Sequence, residues 1–121
     1  MNEYFYDSYA VIELVKGNPA YFGYSEKNVA ISVFNIVEIY SSVLNDFGEE
    51  TADKIYDKFK KAIVEVEDKI LKEAVKFRKV HKKKNLSYTD CIGYIYAKRN
   101  GLKFLTGDKE FENLDNVEFV K

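Results

Sequence analysis

The sequence predicts an α/β fold, in which helices cover both faces of a parallel β-sheet. Short apolar runs that fit buried strands alternate along the chain with longer segments whose apolar residues recur three and four positions apart. Strands that alternate with helices pair in parallel, because each helix returns the chain to the same edge of the sheet. The 121 residues contain no Gly- or Pro-rich linker and suffice for one hydrophobic core, so we expect a single domain over residues 1–121.

In the first half of the chain, aromatic and β-branched runs predict strands and apolar stripes predict helices. Gly48 and the break at 17–19 separate the segments. The longest stripe consists of Ile36, Val37, Tyr40, Val43 and Leu44. In chain order the predicted elements are a strand at 4–7, a helix from Ser8, a short helical turn at 19–24, a strand at 29–33, a helix at 34–46 and a helix at 52–59.

The second half of the chain predicts three strands and two long helices. Asn100 and Gly101 end the last helix, because both tolerate the positive φ common at helix C-termini. In chain order the predicted elements are a strand at 62–66, helices at 67–84 and 88–100, a strand at 103–105, a short helical segment after Asp108 and an edge strand at 117–120.

Composition narrows the classes of function. An apolar content of 46% with 32% charged residues is typical of a globular protein in water, and no apolar run approaches the roughly 20 residues that span a bilayer. The N-terminal residues lack a basic region followed by a long apolar run, so no signal peptide is predicted. A lone Cys91 excludes an internal disulfide, which favours a cytoplasmic protein. One His and one Cys cannot build a two-His or thiolate zinc site.

Four acidic residues fall at the carboxyl edge of the predicted sheet. Asp7 ends the first strand, Glu38 lies in the helix after the second, Asp90 opens the helix before the fourth, and Asp108 follows that strand. Ligands of open parallel sheets bind at this edge. Clustered carboxylates repel one another, and a hard divalent cation such as Mg²⁺ removes the repulsion. A metal site formed by these four side chains is therefore one interpretation of the pattern.

Each of these acids also has a purely structural interpretation. Residues 87–90 match a capping box, and Asp7 and Asp108 fit helix caps. Glu38 fits a solvent-facing position on an amphipathic helix. Two residues with hydroxyl groups flank the acids. Their hydroxyls fit two roles, which are to orient the carboxylates and waters around a metal ion or to form hydrogen bonds within the turns. They are Ser8 and Thr106.

The same stretches resemble a known family. Residues 90–111, DCIGYIYAKRNGLKFLTGDKEF, resemble the C-terminal signature of the PIN-domain nucleases, in which an Asp opens a helix and a strand ends in Thr-x-Asp-x-x-Phe. Residues 4–8 resemble the first strand of that family with its terminal Asp, and Glu38 matches the second acidic position. The family often has a small polar residue two positions after its first Asp, where this chain has Tyr9.

The resemblance implies a three-layer α/β/α PIN-like domain with about five parallel strands in the order 3-2-1-4-5. It implies an Mg²⁺- or Mn²⁺-dependent endoribonuclease in which Asp7, Glu38, Asp90 and Asp108 hold the metal. The small single-domain form is similar to the VapC-type toxins of toxin–antitoxin pairs. That similarity implies RNA as substrate, an antitoxin protein as partner, and a homodimer.

Two other functions stay open at this stage. A phosphoacceptor signalling domain would use an acid near the third strand, where Glu65, Glu67 and Asp68 lie, but leaves Glu38 and Asp90 unexplained. A non-catalytic PIN-like binding module would keep the fold without needing metal.

Two surface features also have alternative interpretations. The basic residues between 78 and 84 fit either phosphate contacts or, as is usual, a solvated helix end that suits the helix dipole. The aromatic residues Tyr21, Phe22 and Tyr24 fit a dimer or partner surface, or burial under a loop.

Overall fold

A computed structural model describes residues 3–24 and 26–121 and shows a parallel sheet with helices on both faces. The three strands are β1 (Tyr4–Tyr6), β2 (Lys103–Thr106) and β3 (Val117–Phe119). The five α-helices are α1 (Ser8–Lys16), α2 (Val33–Phe47), α3 (Glu49–Phe59), α4 (Asp68–Val80) and α5 (Tyr88–Arg99). Short 3₁₀ turns lie at Pro19–Tyr21, Glu26–Asn28, Lys60–Ala62 and Lys109–Phe111.

The sheet has β2 at its centre, with β1 and β3 parallel to it on either side. The strands predicted at 29–33 and 62–66 are reduced to one parallel bridge between Ile31 and Ile63. The reason is local, because Ser32 already caps α2 and a 3₁₀ turn runs up to Ala62. The fold class is therefore confirmed, whereas the five-strand order is not.

Two hydrophobic cores lie on opposite faces of the sheet, because neighbouring strand residues point in opposite directions. Phe5 and Phe104 face a core shared with α4 and α5. Tyr6 and Leu105 face the other core, shared with α1, α2 and α3. This alternation fixes both helical layers relative to the strand ends, where the acidic residues lie.

Helix α5 rests unusually close to the sheet at Gly93. A Cβ atom at this position would lie 2.6 Å from Phe5 Cε1 and 3.0 Å from Phe104 Cε1. Real Cβ atoms do not approach so closely, and both rings are buried. The absence of a side chain at Gly93 therefore sets the distance between α5 and the strands.

Two further sequence predictions need correction. Helix α4 ends at Val80 rather than at residue 84, because the chain then turns and Lys84 Nζ donates to Glu110 O at 3.1 Å. The buried face of α2 is formed by Ile36, Ile39 and Val43, while Val37 is 64% exposed. The helix therefore presents a slightly rotated face to the core.

Of the two interpretations of the aromatic residues in the loop after α1, burial applies to Tyr21 and exposure to Phe22. Tyr21 is fully buried and its hydroxyl donates to Val120 O at 2.6 Å. Tyr24 donates to Glu118 Oε2 at 2.7 Å, and only Phe22 is largely exposed. Tyr21 and Tyr24 thus attach the loop to β3 and to the residue after it, and the three aromatic residues do not form one exposed contact surface.

No helix within residues 3–24 and 26–121 combines the length and the apolar character needed to cross a lipid bilayer.

Candidate active site

All four predicted acids line one open cavity of about 450 Å³, which lies past the carboxyl ends of β1 and β2. Asp7 follows β1 directly, and Asp108 lies two residues after the end of β2. Glu38 reaches the cavity from α2, and Asp90 reaches it from the first turn of α5. Ser8 also lines it. The structure therefore brings together side chains from four separate stretches of sequence.

Asp7 is the most enclosed of the acids, with 3% of its surface exposed. It precedes α1, yet its side chain makes no capping hydrogen bond to that helix. The Thr106 hydroxyl instead donates to Asp7 Oδ2 at 2.6 Å. Burial, reinforced by the negative charge of Asp90, raises the pKa of Asp7 to about 7, although the Thr106 hydrogen bond works in the opposite direction.

Glu38 is held by a chain of buried polar side chains. Ser8 Oγ donates to Glu38 Oε1 at 2.6 Å and accepts from Asn35 Nδ2 at 2.9 Å. Asn35 Oδ1 in turn accepts hydrogen bonds from the Ser32 hydroxyl at 2.7 Å and from Ser32 N at 2.9 Å. The cap of α2 and the Glu38 carboxylate are thus parts of one network.

Asp90 is both a capping residue and a cavity residue. Ser87 N donates to Asp90 Oδ2 and Asp90 N donates to Ser87 Oγ, both at 3.0 Å, which is the predicted capping box. Burial is the main cause that raises the pKa of Asp90, and the charges of Asp108 and Glu38 add to it.

Asp108 likewise caps the short 3₁₀ turn that follows it. Its Oδ1 accepts from Glu110 N at 3.0 Å, while its own N–H donates to Thr106 Oγ1 at 3.0 Å. The Thr106 hydroxyl therefore contacts Asp7 and the backbone of Asp108 at once. The capping interpretation is correct for Asp90 and Asp108 but not for Asp7.

The donor set fits a hard divalent cation by its chemistry. Four carboxylates face one cavity and supply the oxygen ligands that such a cation prefers. Burial, and after it the charges of neighbouring acids, raises the pKa of Asp7 and of Asp90. In the part of the chain that the structure describes, no three Asp, Glu, His or Cys side chains converge closely enough to hold one ion as they stand. The carboxylates are assembled at one place, but they do not form a finished coordination shell.

Two lysines share the cavity with the acids, and sequence reasoning missed both. Lys121 Nζ donates to Gly107 O at 3.4 Å and lies 5.5 Å from the centre of the Tyr9 ring. Lys109 also lines the cavity and is exposed. Tyr9 itself packs against Gly107, where a Cβ atom would lie 2.3 Å from Tyr9 Cε1. The aromatic residue thus forms one wall of the cavity.

Sequence reasoning also missed the buried polar pair Ser32 and Asn35, although Asn three residues after an N-cap Ser is a recognisable capping signal.

The acids proposed for a signalling domain, Glu65, Glu67 and Asp68, do not line the acid cavity. The structure therefore does not bring these acids together with the four acids of the cavity.

Comparison with known proteins adds a family and a fold. The family model of the PIN domain matches residues 4–117 of this chain. A chain from a toxin–antitoxin complex of Klebsiella pneumoniae has a similar fold, with a TM-score of 0.72, 21% sequence identity and coverage of 94% of both chains. A comparison with curated proteins gave no match.

Proposed function

Because this chain belongs to the PIN-domain family, we propose that it is an Mg²⁺- or Mn²⁺-dependent endoribonuclease acting at the acid cavity. PIN domains are generally nucleases. The observation that carries the proposal is the meeting of Asp7, Glu38, Asp90 and Asp108 in one open cavity. An open, shallow site of this kind suits single-stranded or looped RNA, whose unstacked nucleotides can enter it.

In this proposal the four carboxylates hold one or two metal ions. When bound, a divalent ion stabilises charge on the phosphodiester and lowers the pKa of the attacking water. The Thr106 hydroxyl orients Asp7, and the Ser8 hydroxyl orients Glu38. Since water rather than the ribose 2′-hydroxyl attacks, we expect products that carry a 5′-phosphate.

We further propose that the protein is the toxin of a VapBC-type toxin–antitoxin pair. The Klebsiella pneumoniae neighbour, which comes from a toxin–antitoxin complex, supports this assignment through its fold. An antitoxin that places an Arg among the four acids would occupy the metal position and pair with the carboxylates. The proposed protein is a single PIN-like domain over residues 1–121, cytoplasmic and homodimeric.

The test is cleavage of structured and unstructured RNAs with Mg²⁺ or Mn²⁺, comparing wild type with Glu38→Gln. Glu38→Gln should abolish cutting and leave the fold intact, because the amide keeps the shape and loses the charge. Glu65→Gln is the matched control, since Glu65 is exposed and does not line the cavity. Equal cutting by wild type and Glu38→Gln would contradict the assignment of the site. No cutting by wild type would favour a non-catalytic binding module.

A further inference from the structure

A second cavity, of about 390 Å³, is strongly basic. We call it the basic groove. It is built by the end of α4, the turn that follows and the first residue of α5. Within the described residues, no acidic side chain lines it. Its lining side chains are Val75, Arg78, Lys79, Lys82, Lys84 and Tyr88.

The positive charges of the basic groove are not neutralised by carboxylates. Ion pairs between described residues involve seven other Lys and Arg side chains, and none includes a groove residue. Arg78 Nε donates instead to Leu86 O at 2.8 Å, and Lys84 Nζ donates to Glu110 O at 3.1 Å. Because these partners are neutral carbonyl groups, both cations are positioned while their charge stays available to an anion.

An aromatic ring lies among these cations. The guanidinium carbon of Arg78 lies 4.3 Å from the centre of the Tyr88 ring, and Tyr88 is 53% exposed. A fixed, half-exposed ring within a positively charged groove is the combination that binds unpaired nucleotides, through phosphate contacts and base stacking. A helix end that is merely solvated does not account for the contributions of Tyr88 and Lys84 from outside the helix.

Two short stretches of chain connect the basic groove to the acid cavity. Tyr88 lines the groove, and Asp90, two residues later, lines the cavity. Lys84 is bonded to the backbone of Glu110, two residues after Asp108. A single-stranded nucleic acid bound in the basic groove would therefore lie next to the carboxylates of the acid cavity.

We propose that the basic groove binds the backbone of single-stranded RNA beside the scissile phosphate, with one base stacked on Tyr88. The inference rests on the proposed nuclease function and adds to it the path of the substrate. Lys79 and Lys82 contact phosphates, while Arg78 and Lys84, which are held in place by the protein, add their positive charge and set the shape of the groove.

The test measures binding of a fluorescent oligouridylate by anisotropy in EDTA. Without metal nothing is cut, so a failure of the nuclease assay leaves this measurement unaffected. Lys79→Gln with Lys82→Gln should weaken binding roughly tenfold, and should reduce the slope of log K against log salt by about 1.4, since each lost contact to a single strand contributes about 0.7.

A matched control removes the same charge elsewhere. Lys61 and Lys103 are exposed, line neither cavity, and lie in the 3₁₀ turn before Ile63 and at the start of β2, away from the carboxyl ends of the strands. Lys61→Gln with Lys103→Gln should leave binding nearly unchanged. Tyr88→Ala should weaken binding, whereas Tyr88→Phe, which keeps the ring, should not. Thermal melts establish that every variant is folded.

Several results would overturn the proposal. Equal losses in the groove and control variants would show that only net charge matters. Loss of binding in Tyr88→Phe as well as Tyr88→Ala would contradict base stacking. If an oligoglutamate peptide bound as tightly as the oligouridylate, the groove would be a site for an acidic protein segment. Absence of oligouridylate binding by folded wild type would exclude an RNA path.

Discussion

The Thr106 hydroxyl donates a 2.6 Å hydrogen bond to Asp7 Oδ2, although the two residues lie 99 positions apart in the sequence. The same hydroxyl accepts from Asp108 N. One oxygen atom therefore ties together the ends of two neighbouring strands. It also favours the ionised form of a carboxylate that burial pushes towards neutrality.

Thr106→Val removes this donor while keeping the shape of the side chain. The pKa of Asp7 should rise above its value of about 7, because the hydrogen bond that favours the carboxylate is lost. Titration of the Asp7 carboxyl carbon by NMR measures the change, and Thr106→Ser, which retains the hydroxyl, is the control. An unchanged pKa in Thr106→Val would show that the hydrogen bond has no electrostatic effect.

Asp7→Asn should stabilise the metal-free protein in a pH-dependent way. The pKa of Asp7 is about 7 in the fold against an ordinary 3.8, so the folded state resists ionisation of this group. The free energy of unfolding of wild type should therefore fall as pH rises from about 4 to about 7 and stay low above that. Asn avoids this cost, which has an upper limit of about 4 kcal/mol at pH 8.

Urea unfolding in EDTA at pH 8 and pH 4 measures the effect. The gain from Asp7→Asn should be largest at pH 8 and small at pH 4, because pH 4 lies close to the ordinary pKa of 3.8 and little of the ionisation cost has built up there. A loss of roughly 0.5–2 kcal/mol at both values would instead indicate a capping role.

Asp90→Asn should weaken binding of Mn²⁺ and leave α5 intact. The Asn oxygen can still accept from Ser87 N, so the capping box survives while the negative charge disappears. The pKa of Asp7 should fall in the same variant, because the charge of Asp90 helps to raise it. Calorimetry with Mn²⁺ tests the first effect, with Asp115→Asn, outside the cavity, as the control. If wild type binds no divalent ion, the premise of a metal site is removed.

Asn35→Ala should lower the free energy of unfolding by roughly 1–3 kcal/mol, because it leaves buried groups of Ser32 without a partner. It should also reduce RNA cutting, since Ser8 loses the amide that fixes it against Glu38. Urea unfolding and cleavage rates measure the two effects. Ser8→Ala, which removes the contact to Glu38 and leaves the Ser32 bonds in place, should reduce cutting with a smaller loss of stability. Full activity in both variants would show that Glu38 needs no support.

Much of the site could be predicted from the sequence because topology alone brings strand ends and helix starts to one edge. Asp7, Asp90 and Asp108 each adjoin an element boundary with a clear signal, so their meeting follows from parallel pairing. Glu38 could be placed only through the family resemblance, since an acid within an amphipathic helix usually faces solvent. Its partner Ser8 gives no signal of the contact, because the hydrogen bond depends on how α1 and α2 pack.

The remaining errors have a common physical origin. The predicted strands at 29–33 and 62–66 have the right composition, but a helix cap and a 3₁₀ turn use the flanking residues. The sequence from 67 to 84 predicts one helix, but the helix ends at Val80 and Lys84 contacts Glu110 O instead. For the two strands the competing hydrogen bonds are local, whereas the contact of Lys84 with Glu110 joins segments 26 residues apart and leaves no local pattern.

The geometry of the acid cavity depends on packing at Gly93 in the hydrophobic core. Asp90 lies three residues before Gly93 on α5, so the depth at which its carboxylate sits follows from how closely that helix lies on Phe5 and Phe104. A single added methyl group there would lift the helix and carry Asp90 away from Asp7, with the chain still folded. Mutational tolerance at this site therefore cannot be judged from the cavity lining alone. Random mutagenesis scored for activity should recover inactivating changes deep inside the protein, at a residue that touches neither metal nor substrate.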